Sequence, residues 1–186
     1  MLFRRHFYAL AVLSAAALVA GAVPGHAETR TVRIAKQYGI SYLPLTIMQE
    51  KKLLEAEGKK LGLDLSTEWV RFTGGPPMNE ALISGNLDFA SGGVGPLVTI
   101  WARTQNNLKV KGVAALNAMP LYLNSINPNV KTIKDFTEKD RIALPAVRVS
   151  IQAVILQMAA QKAFGPGQEH KLDAWTVSLS HPDGFA

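Results

Sequence analysis

Apolar and polar residues alternate along this chain in two rhythms that take turns. Residues 31–35, Thr-Val-Arg-Ile-Ala, change with period two and predict a strand, closed by turn residues around Gly39. Across 45–61 the period becomes helical: Ile47, Leu54 and Leu61 fall seven apart, Glu55 can pair with Lys59 one turn on, and Gly62 ends the run. Residues 65–72 predict a second strand, 73–77 a turn, 78–84 a short helix leaving through Gly85, and 87–90 a third strand. The loop 91–96 opens a helix running to Arg103, and 110–116 predicts a fourth strand. The pattern then changes, because 117–120 with its Pro and the extended run 121–125 read as a crossing between lobes. Beyond it come a short helix at 131–136, a strand at 141–144 and a helix at 150–164. In that helix Ile151, Val154, Ile155, Met158 and Ala159 keep the spacing of one apolar face before Gly165-Pro166-Gly167. A strand at 175–179 is followed by Ser180-His181-Pro182-Asp183, the order of a helix start with one turn of sequence after it. That is too little to form or bury a face, so the sequence reads as cut inside an element.

Strands alternating with helices predict an α/β fold with mostly parallel sheets covered by helices on both faces. The expected organisation is a leader at 1–27, a first α/β lobe at 28–117 and a second at 118–186, both incomplete. The leader follows from Arg4 and Arg5, an uncharged stretch from Phe7 to Val23, and small residues at Gly25 and Ala27, which together predict export with cleavage after Ala27. A membrane anchor would need a longer and less Ala-rich stretch. Arg4-Arg5 before Phe7 fits either the general or the twin-arginine route.

The 186 residues carry 20 Lys and Arg against 14 Asp and Glu, a formal +6. Cleavage takes two arginines away and leaves 18 against 14, or +4, with no dense basic run. That charge gives no support for nucleic-acid binding. The absence of Cys removes disulfides, thiol nucleophiles and zinc ribbons. No GxSxG, HExxH or phosphate-loop ending is present, and Gly92-Gly93-Val94-Gly95 lacks the Gly-Lys-Ser/Thr that would complete one. The two histidines outside the leader, His170 and His181, have no carboxylate or second His at a metal-ligand spacing. His170 reads as a solvated loop residue, and His181 as a turn residue or a ligand contact.

Three glycine-bearing loops remain as candidate chemistry: Tyr38, Ser41 and Tyr42; Thr73, Gly74 and Gly75; Gly92, Gly93 and Val94. Each follows a predicted strand and precedes a helix, which puts all three at the carboxyl edge of one sheet, where open α/β folds bind ligands. Their glycines either allow tight turns or let backbone N–H groups converge on an anion. Ser150 either caps its helix with Arg148 as a surface cation, or both donate to an anion across a cleft. Asn117 lies at the expected crossing. Trp69, Trp101 and Trp175 are expected in the core, and Asp88 is expected to support its loop.

With these residues in view the chain resembles the periplasmic substrate-binding proteins of ABC importers, in the group for nitrate, taurine, alkanesulfonates and thiamine-pyrimidine precursors. The residues that carry the likeness are 32–36 with Tyr38-Gly39, the run 79–90 followed by Gly92-Gly93-Val94-Gly95-Pro96, and the strand-helix unit 142–156. The resemblance implies two α/β lobes of three layers gripping one ligand between them, and no catalysis, metal or cofactor. It also implies a periplasmic location and delivery to a permease and its ATPase. The ligand expected is a small anion, held by Tyr38, Ser41, Tyr42, Thr73, Gly74, Gly75, Gly92, Gly93, Val94, Asn117, Arg148, Ser150 and His181. At 146–150 Val and Arg stand where relatives often place Gly and small hydroxyl residues. Two other readings share the fold: a protein that binds or synthesises a pyrimidine precursor, whose enzymatic relatives carry a Cys-rich motif, and a ligand sensor outside transport.

Overall fold

The computed structural model describes residues 31–184, so the leader expected at 1–27 lies outside the described residues. Strand β1, Thr31–Lys36, is central in a three-stranded parallel sheet, between β2, Ser66–Arg71, and β3, Phe89–Ala90. The register sets Thr31 opposite Ser66, Lys36 opposite Arg71, and Ile34 opposite Phe89. A 3-10 turn, Ile40–Tyr42, leads into α1, Leu43–Glu50, and α2, Leu53–Lys60, follows. These two helices lie on the face of Lys36, Thr67 and Trp69: Lys36 Nζ donates to Thr46 Oγ1 of α1, and the Thr67 hydroxyl donates to Glu55 of α2. Helix α3, Gly75–Ile83, covers the opposite face, where Met78 and Leu87 are buried with Ala35 against Val70 and Phe72. Helix α4, Val94–Thr104, follows β3. Asp88 ties this half together by accepting from the Arg33 backbone N–H and from its guanidinium, both at 2.8 Å.

A second parallel pair joins β4, Ile142–Leu144, to β5, Thr176–Ser178. Its core consists of Ile142, Leu144, Ala153, Leu156, Ala160 and Leu172, covered by α5, Ile151–Phe164. A helical turn α6, His181–Gly184, follows β5. The α/β class with parallel sheets expected from the alternating pattern is the class observed.

Several elements differ from expectation. The helix expected across 45–61 is broken, since Lys52 adopts a left-handed conformation with φ of 50° and splits it into α1 and α2. Ile47 and Leu61 are consequently exposed, Leu45 is buried, and Lys60 rather than Lys59 forms the ion pair, with Glu57. Helix α3 starts at Gly75 instead of Met78, because Pro76 and Pro77 fit a first turn whose N–H groups have no helical acceptor. The strand expected at 110–116 and the extended run at 121–125 pair with no strand among the described residues, and 111–126 is exposed throughout. The helix expected at 131–136 is one 3-10 turn, Ile133–Asp135, closed by reciprocal Thr132 and Asp135 caps. Trp101 is 53% exposed rather than in the core, and Trp175 ends a 3-10 turn before β5 instead of starting the strand. Helix α5 buries Ala153, Leu156 and Ala160, whereas Met158, assigned to its apolar face, is 63% exposed. Apolar residues occupy several faces of this helix, and periodicity alone does not choose among them.

Candidate functional site

The loops after β1, β2 and β3 leave one edge of the first sheet because its strands are parallel. The segment after β4 meets them from the other sheet. An added Cβ on Gly74 would lie 3.1 Å from the Pro145 carbonyl oxygen, one on Gly93 would lie 2.4 Å from Ile151 Cβ, and one on Gly95 would lie 2.8 Å from the Val149 carbonyl oxygen. Hence the carboxyl edges of the two sheets oppose one another. At Gly93 and Gly95 the absent side chain is what permits the approach.

The expected residues divide accordingly. Gly74 and Gly93 are packing contacts between the halves, and a Cβ on Gly75 would meet Pro96 at 2.4 Å. Gly92 is exposed and has ordinary room around it: an added Cβ would lie 3.6 Å from Gln37 Nε2. Thr73 and Val94 are exposed as well. The loop after β1 is brought to Asn117, whose side-chain amide donates to the Ser41 carbonyl at 2.7 Å. Burial pushes the Tyr42 phenol above its ordinary range. Ser150 is buried and its hydroxyl accepts from the Ala153 N–H at 3.2 Å, so it acts as the cap of α5. Arg148 is exposed on a backbone with φ of 66°, a conformation that side chains other than Gly rarely adopt. His181 lies 3.3 Å from Gln152 Nε2, and burial lowers its affinity for a proton. The structure therefore collects Tyr38, Ser41, Tyr42 and Asn117 on the first sheet's side, and Arg148, Ser150 and His181 on segments that follow β4 and β5.

Two residues that motif reasoning passed over stand at this edge. Lys36, the last residue of β1, is only 5% exposed, with its ammonium 5.7 Å from the centre of the Trp69 ring. Burial, and next the charge of Arg71, hold it below the usual lysine range. Arg71, the last residue of β2, rests its guanidinium 5.0 Å from the centre of the Tyr38 ring. A strand-end Lys or Arg carries no sequence signature, although the register of two predicted strands would have placed them side by side. An open groove of about 530 Å³ lies elsewhere, between the α1–α2 break and β2, walled by Gln49, Glu50, Glu55 and Trp69, and none of the glycine loops lines it. Among the described residues no three His, Asp or Glu side chains gather as metal ligands.

No protein-family model matches the chain, and no curated protein matches it. Among solved structures it is similar to the crystal structure of the periplasmic aliphatic sulphonate binding protein SsuA from Escherichia coli. The identity is 21% and the TM-score 0.50, over 84% of this chain and 49% of that one. The likeness is one of fold, an α/β arrangement with parallel sheets. This chain spans about half the length of that neighbour.

Proposed function

We propose that this protein is a solute-binding component of an ABC importer, which captures a small anion between two opposed sheet edges and releases it unchanged. The observation that supports this reading is the opposition itself: Gly74 approaches Pro145, and Gly93 approaches Ile151. Ligands of open α/β sheets sit at the carboxyl edge, and two such edges facing one another can hold a ligand from both sides. Backbone N–H groups near Gly92 and Val94, with the Arg148 guanidinium, suit a sulfonate, taurine, nitrate or carboxylate. The solved neighbour, itself a periplasmic binding protein, supports a binding role. In this reading the leader directs export to the periplasm, and the partners are a permease and its ATPase.

Mass spectrometry of the small molecule that co-purifies with the exported protein, followed by calorimetry with that compound, tests the proposal. An intact sulfonate, nitrate or carboxylate that binds one to one is expected. Binding confined to neutral sugars or peptides, or release of a chemically altered ligand, would overturn it. Sequencing the amino terminus of the exported protein should give Glu28 first, and a chain still beginning at Met1 would refute cleavage after Ala27.

A further inference from the structure

In the half of the chain built on the first sheet, three cations are matched by carboxylates. Arg33 is held by Asp88, Lys60 by Glu57 and Arg103 by Glu80. The carboxyl edge breaks this pattern. Lys36 and Arg71 stand opposite one another in the ladder, on the same sheet face, and neither forms an ion pair among the described residues. The Lys36 ammonium is turned under α1 to Thr46, with Glu50 as the acid whose charge it feels. Arg71 is left exposed, its guanidinium in cation–ring contact with Tyr38 in the first loop of the candidate site. Two like charges on adjacent strands repel, and an anion beside the outer one relieves that repulsion. A guanidinium carried on a strand end beside an aromatic ring presents a planar fork of donors, which suits an oxyanion better than a mobile ammonium does.

We infer that Arg71, oriented by Tyr38, is the residue that pairs with the oxyanion group of the ligand. This assignment rests on the proposed function and deepens it. The site then has a charged end at β2, with the Gly92–Val94 backbone, which follows β3 on the other side of β1, as a separate source of neutral donors.

The experiment is an NMR titration of the purified chain with methanesulfonate, nitrate and acetate, following backbone amides and arginine Nε–H signals. Saturable shifts are expected at Arg71 Nε–H together with the amides of Gly92 and Val94. Arg71→Gln should weaken binding about tenfold to a hundredfold, the range of a charge-assisted hydrogen bond, with the melting temperature unchanged. Arg71→Lys should restore part of the loss, and Tyr38→Leu should weaken binding less than Arg71→Gln. If the Gly92 and Val94 amides shift while Arg71 does not, and Arg71→Gln binds as tightly as the parent, the assignment of Arg71 falls and the anion-binding reading stands. If none of the three anions produces a saturable shift anywhere, the anion-binding reading itself falls and takes this assignment with it.

Discussion

At the scale of single residues, neighbouring glycines in one loop carry different burdens. Gly93 has Ile151 pressed against the space a Cβ would fill, whereas Gly92 has free room. Gly93→Ala should therefore lower stability by about 1–3 kcal/mol through overpacking, as measured by urea unfolding. Gly92→Ala should leave stability nearly unchanged. Gly93→Asp would lose anion binding for steric reasons before its charge mattered, so Gly92→Asp is the variant that reads charge. Carboxylates give a second prediction. Asp88 is held below its ordinary range by the Arg33 guanidinium, Glu55 by the Thr67 hydroxyl, Asp135 by the Thr132 backbone N–H, and Asp140 by the Thr137 backbone N–H. In each case the folded chain binds its proton less readily than the unfolded chain does. The resulting stability is present above the ordinary carboxylate range, about pH 4 to 4.5, and is lost as pH falls through the lower folded values. Melting temperatures should fall slightly from pH 7 to about 5, because the half-buried His181 takes up its proton less readily in the folded chain than in the unfolded one, and should decline further below about 4 as these carboxylates are protonated. An unchanged melt at pH 3 would show that these contacts contribute nothing to stability.

At the scale of elements, α5 separates what a sequence can specify from what it cannot. Its ends were legible, because Ser150 caps one and Gly165 closes the other with φ of 106°. Its buried face was not, because Ile155 and Met158 are as apolar as Leu156 and only the position of the β4–β5 sheet selects among them. Leu156→Ala should cost about 2–5 kcal/mol, while Met158→Gln should change stability by less than about 0.5 kcal/mol. The reverse result in chemical denaturation would restore the face read from periodicity. The break between α1 and α2 was hidden for a related reason. Lys51 and Lys52 are good helix formers, so nothing local announces a left-handed residue. The strand expected at 110–116 has the right alternation and lacks a neighbouring strand among the described residues. Strand identity depends on a partner as much as on pattern. The three loop positions were legible because parallel strands send every following loop to one edge. The pairing of Arg71 with Tyr38 was not, since it depends on a side-chain direction that spacing does not encode.

At the scale of the whole molecule, the β1–β2 ladder joins residues 35 positions apart, Thr31 to Ser66, and the intervening chain forms two helices of eight residues each. Helices that short do not persist alone, since about 12–15 residues are needed even for good helix formers. A long loop must therefore close before either helix has a surface to rest on, which makes loop closure an early and slow event in folding. Order of assembly and order of opening should mirror one another. In native-state hydrogen exchange, amides of Leu53–Lys60 should exchange through local opening, while those of Ile34 and Ala35, buried in the middle strand, should exchange only with global unfolding. Pulse labelling during refolding should find α2 protected together with β1 or after it. Protection of α2 first would mean that the helix, and not the ladder, nucleates this half of the chain.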